Sequence, residues 1–185
     1  MKKLGIIICG LVLMMGCERN IYRFTEGSVY GTVYHVSYQS EVDYTVEIRQ
    51  EMERVNQSLS MFNKESVIAR WNRGESERVD SLFVTMYEKA REVYEATGGG
   101  FDITVAPLVN AWGFGFKNEK LPSDGKIDSL LQYVGMDKVQ LEGVRLVKLV
   151  EGVQIDASSI AKGLGVDLVA EFFDREGVQN YMIEI

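Results

Sequence analysis

The stretch from Ile155 to Asp167 reads IDASSIAKGLGVD, and its pattern predicts the end of a strand, a short loop of small residues and the start of a helix. Val153 and Ile155 alternate with polar residues, as in a strand. Apolar residues then recur at helical spacing at Ile160, Leu164, Leu168 and Phe172. Ser158 or Ser159 is the predicted N-cap of this helix. The unit indicates a fold that combines strands with amphipathic helices.

The same unit has the chemistry of an anion site. Backbone N–H groups at a helix start attract anions, and Lys162 adds a positive charge in the first turn. Asp156 ends the strand beside it, and Gly163 and Gly165 lack side chains where a ligand or a second backbone comes close. A phosphate-containing ligand, or a metal–phosphate pair, suits this arrangement. A capped helix with a solvated lysine needs no ligand, however, and the stretch is neither a Walker loop nor G-x-G-x-x-G, so the spacing leaves both interpretations open.

Length and composition predict one globular domain. The chain has 185 residues, of which 46% are apolar and 25% are charged, which is sufficient for a hydrophobic core. Its formal net charge of −7 argues against nucleic acid as the main partner.

The N-terminal residues predict export. Residues 1–16 combine two lysines with an apolar run too short for a comfortable membrane span, as in a signal peptide. The following Met14-Met15-Gly16-Cys17 resembles a lipobox, in which Cys17 becomes the lipidated first residue, so residues 17–27 are predicted to be a lipidated tether. Membrane attachment then comes from the lipid. The alternative is ordinary secretion with a free Cys17 thiol, which is unusual in an oxidising compartment.

Hydrophobic periodicity predicts the remaining elements. They are a long strand at 28–39, a helix at 44–58, a loop at 59–66 ending in a cap, a short helix ended by Gly74, a helix from Asp80 to Thr97, a helix at 128–134, an antiparallel meander at 139–156 and a strand at 180–185.

The segment 101–116 is dense in aromatic residues and glycine and follows three consecutive glycines. It is compatible with two structures. Trp112 and Phe114 can fill the core, because aromatic residues dominate cores. Alternatively, the segment forms a pocket wall for a flat ring.

The inventory of reactive side chains is short. His35 is the single histidine, so a Ser-His-Asp relay or a multi-histidine zinc site is difficult to build. Carboxylates, Lys162 and hydroxyls remain. That set suits magnesium-assisted phosphoryl chemistry.

Four blocks resemble one known family. Residues 100–115 (GFDITVAPLVNAWGFG) are similar to the G-x-F-D-x-T-V-x-P-L-V-x-x-W-G-F-G block of the ApbE family, and residues 156–167 to its D-x-x-x-I-A-K-G-x-x-x-D block. Residues 31–34 (GTVY) resemble its G-T-x-Y strand. Residues 59–66 (LSMFNKES), together with Asn72, resemble its L-S-x-[YF]-x-x-x-S…N block.

The resemblance implies an α+β, T-fold-like architecture with a mixed or antiparallel sheet core packed by helices. ApbE proteins are bacterial FAD:protein FMN transferases, often periplasmic lipoproteins. The implied reaction uses Mg²⁺ and attaches FMN from FAD to a Thr or Ser of a redox flavoprotein, with release of AMP. Some members instead hydrolyse FAD to FMN and AMP.

The resemblance also implies site residues. The FAD contacts are Tyr30, Phe62, Gly100, Phe101, Asp102, Asp156 and Lys162. Ser159 offers a backbone carbonyl to Mg²⁺. Tyr30 stands where many members have Met.

The family continues with a His-containing block and an A-D-x-x-[ST]-T block that are missing here. The expectation is therefore that residues 28–185 are the N-terminal part of one catalytic domain, that they bind Mg²⁺ poorly and that they lack activity alone. A flavin transferase, an FAD-binding module without chemistry and a structural lipoprotein without a ligand remain the three competing functions.

Overall fold

The computed structural model describes residues 21–114 and 121–185. Within those ranges the elements are β1 Tyr22–Val29, β2 Thr32–Gln39, α1 Thr45–Leu59, α2 Val67–Asn72, α3 Ser81–Ala96, α4 Ala106–Ala111, α5 Asp124–Leu131, a 3₁₀ turn Met136–Lys138, β3 Val139–Glu142, β4 Arg145–Lys148, α6 Ala161–Arg175 and β5 Tyr181–Glu184. The predicted α+β class is confirmed. The predicted signal peptide and lipidation at Cys17 lie outside the described residues.

The predicted single strand at 28–39 is wrong, because β1 and β2 form a hairpin. Val29 pairs with Thr32, and the two residues between them both have positive φ: 50° at Tyr30 and 76° at Gly31. A two-residue turn of this kind matches the twist of the flanking strands. Because β1 begins at Tyr22, residues 22–27 of the predicted tether belong to the sheet.

A three-stranded antiparallel sheet, in the order β1-β2-β5, covers one hydrophobic core. Tyr34, Val36 and Tyr38 on β2 are buried against α1 and α6. The rings of Tyr38 and Phe173 lie 5.0 Å apart. This core fixes α6 across the sheet, with its apolar stripe inward as predicted.

A second core joins α1, α2 and α3 to the β3–β4 hairpin. It is centred on the buried side chains of Trp71, Phe83 and Met86. The indole N–H of Trp71 donates to the carbonyl of Leu146 at 2.7 Å, so β4 is tied to the end of α2. Asp80 caps α3 as predicted, accepting from the N–H of Phe83 at 2.8 Å.

Three predicted boundaries need correction. The meander at 139–156 consists only of the β3–β4 hairpin, since residues 149–156 form no strand beyond an isolated parallel bridge between Val105 and Gln154. The helix predicted at 128–134 starts earlier, where the Ser123 hydroxyl accepts from the N–H of Lys126. Neither Ser158 nor Ser159 caps α6, because Ile160 is its N-cap and no side chain accepts there.

Among the described residues, none of the helices has the length and apolar content needed to span a bilayer.

Candidate functional site

Asn72 holds the segment that leads to Asp156. Its side-chain amide donates to the carbonyl of Ile155 and accepts from the N–H of the same residue, both at 2.8 Å. The pair of hydrogen bonds imitates a strand partner for a residue that has none. Asn72 therefore fixes the backbone immediately before Asp156.

The two main sequence blocks meet at this point. The N–H of Asp156 donates to the carbonyl of Ile103 at 2.8 Å, so Asp156 lies beside the block that contains Asp102. Asp102 is itself held: its Oδ1 accepts from the N–H and the hydroxyl of Thr104, at 2.7 and 2.6 Å. The Thr104 oxygen, fully buried, also accepts from the N–H of Gly135 at 2.6 Å. The Asp102 carboxylate is thus fixed by Thr104, which is itself bound to a backbone group 31 positions away in the chain.

The glycines that precede Asp102 form a tight turn. The N–H of Gly100 donates to the carbonyl of Thr97 at 3.3 Å, and the N–H of Phe101 donates to the Thr97 hydroxyl at 3.1 Å. Phe101 packs partly buried against the second core. The turn brings all three predicted residues at 100–102 to the same edge of the fold.

The start of α6 is open to solvent. The Asp156 carboxylate accepts from the N–H of Ser158 at 2.7 Å, which makes a local Asx turn and replaces the serine cap expected from the sequence. Ser158, Ser159, Lys162 and Gly163 are exposed, and a Cβ built at Gly163 meets no atom within 4 Å. Within the part of the chain that the structure describes, the Lys162 ammonium group has no hydrogen-bonded or ion-pair partner. A single free ammonium group therefore stands at the second residue of a 15-residue helix.

Tyr30 is held inside the fold. Its hydroxyl donates to the carbonyl of Met52 at 2.7 Å, and the same oxygen lies 2.8 Å from the position of a Cβ built on Gly165. Burial, and to a lesser degree the nearby Glu53 carboxylate, raises the pKa of Tyr30 far above its ordinary value. The hydroxyl is therefore a neutral donor committed to α1. Its predicted flavin contact is not tested by this structure and remains a prediction.

Phe62 projects from a loop that two serines hold. The Ser66 hydroxyl donates to the carbonyl of Ser60 at 2.6 Å and accepts from the N–H of Ala69 at 3.1 Å. The Ser60 hydroxyl in turn accepts from the N–H of Asn63 at 3.1 Å. Phe62 is 71% exposed at the tip of this closed loop. An aromatic ring so exposed on a fixed loop is suited to packing against a ligand.

A cleft of about 1040 Å³ opens beside Phe62. This volume lies at the upper end of the range for small-molecule sites. The walls are built from the 61–73 region, α4, α5 and the loop at 152–154. Its lining residues include Phe62, Lys64, Glu65, Asn72, Arg73, Pro107, Asn110, Lys126, Tyr133 and Gln154.

Sequence reasoning missed most of this cleft. Of the predicted site residues, Phe62 alone lines it, whereas Asp102, Asp156 and Lys162 lie outside it. The Asn110 side-chain amide donates to Gln154 Oε1 at 3.3 Å and joins two of its walls. Gln154 and Asn72 connect the cleft to the Asp156 segment. No local signal marks Lys126 or Tyr133, because they lie in a helix and loop far from the motifs in sequence.

The structure does not support the interpretation in which Trp112 and Phe114 fill the core. Trp112 and Phe114 are 44% and 81% exposed, so neither is a core residue. Residues 106–111 form α4, with Pro107 in its first turn. Gly115 and Phe116 lie outside the described residues.

The described residues do not form a complete magnesium site. Among residues 21–114 and 121–185, no three His, Cys, Asp or Glu side chains come close enough to hold a metal ion. The Ser159 carbonyl alone cannot supply the six oxygen ligands that Mg²⁺ prefers. His35 lies on the exposed face of β2, 3.5 Å from the Glu26 carboxylate, and has no part in this site.

Comparison with known proteins identifies the family to which this fold and its two joined blocks belong. The sequence model of the ApbE family matches residues 30–185. The chain belongs to the ApbE family. Among curated relatives, the FAD:protein FMN transferase of Vibrio cholerae is 32% identical over 197 aligned positions, which cover 100% of this chain and 59% of the relative. The Haemophilus influenzae FAD:protein FMN transferase is 34% identical and is covered to 60% of its length.

Solved structures give the same assignment. The flavin transferase ApbE from Vibrio cholerae superposes with a TM-score of 0.84 at 32% identity, covering 89% of this chain and 57% of that one. The apo form of the Pseudomonas stutzeri flavinyl transferase ApbE gives 0.83 at 29% identity. The family and the fold predicted from the four blocks are therefore confirmed. The chain spans about three-fifths of the length of these relatives.

Proposed function

We propose that this protein is an FAD:protein FMN transferase that moves FMN from FAD to a Thr or Ser hydroxyl of a target redox flavoprotein. Family membership supports the reaction class, and the names of the relatives supply the donor and the transferred group. One hydrogen bond carries the proposal for this chain. The Asp156 N–H bound to the Ile103 carbonyl joins the two motif blocks into one site beside Lys162.

The proposed transfer breaks the phosphoanhydride bond of the FAD diphosphate and forms a phosphoester bond to the acceptor hydroxyl. The acceptor hydroxyl oxygen bonds to the phosphorus of the FMN half of FAD. The bond from that phosphorus to the bridging oxygen breaks, AMP leaves with this oxygen, and the hydroxyl proton passes to solvent or a base. The residues of this chain bind and orient: Lys162 offsets diphosphate charge, and Phe62 packs on a flat ring. Fixed positive charge is the main requirement of such a reaction, since positioning and electrostatics supply most of the catalysis.

Magnesium is the proposed metal, and it would neutralise charge on the diphosphate. The Ser159 carbonyl is the one ligand proposed from this chain. Because the described residues hold no cluster of three metal-binding side chains, we expect weak Mg²⁺ binding by these 185 residues. Isothermal calorimetry checks this expectation, and tight, stoichiometric binding would contradict it.

We further propose that the protein is an exported lipoprotein, attached through a lipid on Cys17 to the periplasmic side of a membrane. The lysines and apolar run of residues 1–16 support export, and the sequence around Cys17 supports lipidation. Cys17→Ser should release the protein from the membrane fraction.

The decisive experiment joins these 185 residues to the His-containing and A-D-x-x-[ST]-T blocks of a family member, incubates the product with FAD, Mg²⁺ and a Thr-containing target peptide, and analyses the peptide by mass spectrometry. A peptide that gains FMN, with AMP released in equal amount, is the expected result for this extended chain. Free FMN and AMP with an unmodified peptide would indicate an FAD pyrophosphatase. Intact FAD that stays bound to the protein would indicate a binding protein. If the protein retains no flavin and the FAD is unchanged, every flavin function is rejected.

A further inference from the structure

We propose that Lys148 is a positioning residue for Asp156, acting through Trp71 and Asn72. None of the motif blocks contains Lys148, and it lies on β4, outside the described cleft. The inference rests on the proposed function, because it assumes that Asp156 contacts the ligand.

The first step is that Lys148 binds the C-terminal end of α2. Its ammonium group lies 4.5 Å from the centre of the Trp71 ring and donates to the carbonyl of Asn72 at 3.0 Å. This carbonyl is in the last turn of α2, where carbonyls lack intrahelical partners and the helix dipole favours a cation. A cation over an indole face adds attraction. Lys148 thus satisfies the backbone oxygen of Asn72 and fixes the neighbouring indole.

The second step runs from Asn72 to Asp156. The main chain of Asn72 is held by Lys148, while its side chain holds both backbone polar groups of Ile155 at 2.8 Å. Trp71 is anchored to the same strand as Lys148, through the carbonyl of Leu146. The position of the backbone immediately before Asp156 therefore depends on the contacts between β4 and the end of α2. A small rotation of Asn72 would move Ile155 and, with it, the Asp156 carboxylate.

The placement of the charge argues against a role in stability alone. Lys148 is half-buried, and burial lowers the pKa of its ammonium group, with Glu151 acting weakly in the opposite direction. A desolvated charge is a cost to the folded state. An apolar residue of similar length would fill the same space without that cost. The same charge makes the two contacts that fix the end of α2.

The test uses Lys148→Met, which keeps the stem and removes the charge, and Lys148→Arg, which keeps a cation. Lys89→Met is the matched control, since Lys89 is exposed on α3 and forms an ion pair with Glu92 of the same helix. Three quantities are measured: amide hydrogen exchange at Ile155, FAD affinity by flavin fluorescence, and the thermal midpoint. For Lys148→Met we expect roughly three- to tenfold faster exchange at Ile155 and a similar loss of FAD affinity, equivalent to one hydrogen bond.

The thermal midpoint of Lys148→Met should stay within about 4 °C of the wild type, because removing a desolvated charge offsets the lost contacts. Lys148→Arg should return exchange and affinity to within about twofold, since guanidinium groups also pack on indole rings. Wild-type exchange and affinity in Lys148→Met would overturn the inference. Faster exchange throughout the core, with a large drop in midpoint, would also overturn it in favour of general packing. If the wild type binds no FAD, the proposed function fails, and exchange at Ile155 alone then decides whether the coupling exists.

Discussion

The candidate site contains two groups of side chains that are held in different ways. The floor, defined as Asn72, Asp102, Thr104 and Asp156, is tied by hydrogen bonds to backbone groups of Ile155, Gly135 and Ser158. The exposed pair, Phe62 and Lys162, extends into solvent from fixed backbone. The difference separates two tasks. The floor fixes geometry before a ligand arrives, and the exposed pair is available to contact it.

We therefore expect substitutions in the two groups to have different effects on stability and ligand affinity. Substitutions in the floor should reduce both stability and ligand affinity, because they leave buried polar groups without partners. Substitutions in the exposed pair should reduce affinity alone. The following four substitutions test that separation, from the largest expected effect to the smallest.

Asn72→Ala should lower the free energy of unfolding by about 2–3 kcal/mol, because both backbone polar groups of Ile155 lose their partner. Urea denaturation measures the loss. Asn56→Ala is the control, since the Asn56 amide donates to the Glu53 side chain on the surface of α1, and its change should stay within about 0.5 kcal/mol. Equal stability of the two variants would contradict the role of Asn72 in the floor.

Thr104→Val should cost about 2 kcal/mol of stability, because this isosteric change removes the acceptor for the Gly135 N–H in a fully buried position. The Asp102 carboxylate also loses a donor, so FAD affinity should fall with stability. Thr85→Val on the exposed face of α3 serves as the reference. A stable Thr104→Val protein with unchanged affinity would remove Thr104 from the floor.

Phe62→Ala should leave unfolding unchanged and weaken FAD binding about tenfold, the low end of the stacking energy of an aromatic side chain on a ring. Phe62→Tyr should bind as the wild type does, because it keeps the ring. Fluorescence titration reports the affinity. The prediction fails if the alanine and tyrosine variants bind FAD equally well.

Lys162→Met should weaken FAD binding roughly fivefold at low salt, with a smaller effect at high salt, since an exposed charge is screened by ions. Lys162→Arg should retain most of the affinity. Titrations at two ionic strengths give the comparison. A loss that does not change with salt would show that Lys162 acts through packing and not through its charge.

Sequence patterns predicted the elements whose signals are local. The apolar stripe of α1 and the Asp80 cap of α3 gave their positions to within about two residues, because periodicity and capping act over one or two turns. The hairpin turn was missed because Tyr30 adopts positive φ, where Asn or Gly is expected. The predicted serine cap of α6 was wrong because the Asp156 carboxylate, and not a serine hydroxyl, accepts the loop hydrogen bond, from the N–H of Ser158.

Long-range contacts lay beyond such patterns. Asn72 and Ile155 are 83 positions apart, and nothing near either residue indicates that one holds the other. The four blocks identified the family and named the residues at the Asp102–Asp156 junction. They did not reveal the cleft, whose walls combine α4, α5 and two loops without a shared motif. The fold class can therefore be predicted from the sequence, whereas the shape of the site is known only from the structure.

The contact between Tyr30 and Gly165 has an evolutionary consequence. Because the tyrosine oxygen occupies the space that a Cβ at position 165 would need, the two positions share one fixed volume. A bulky ring at 30 obliges glycine at 165, and a slimmer, more flexible residue at 30 would admit alanine there. Among natural variants these two positions should change together, although they are 135 positions apart in the sequence.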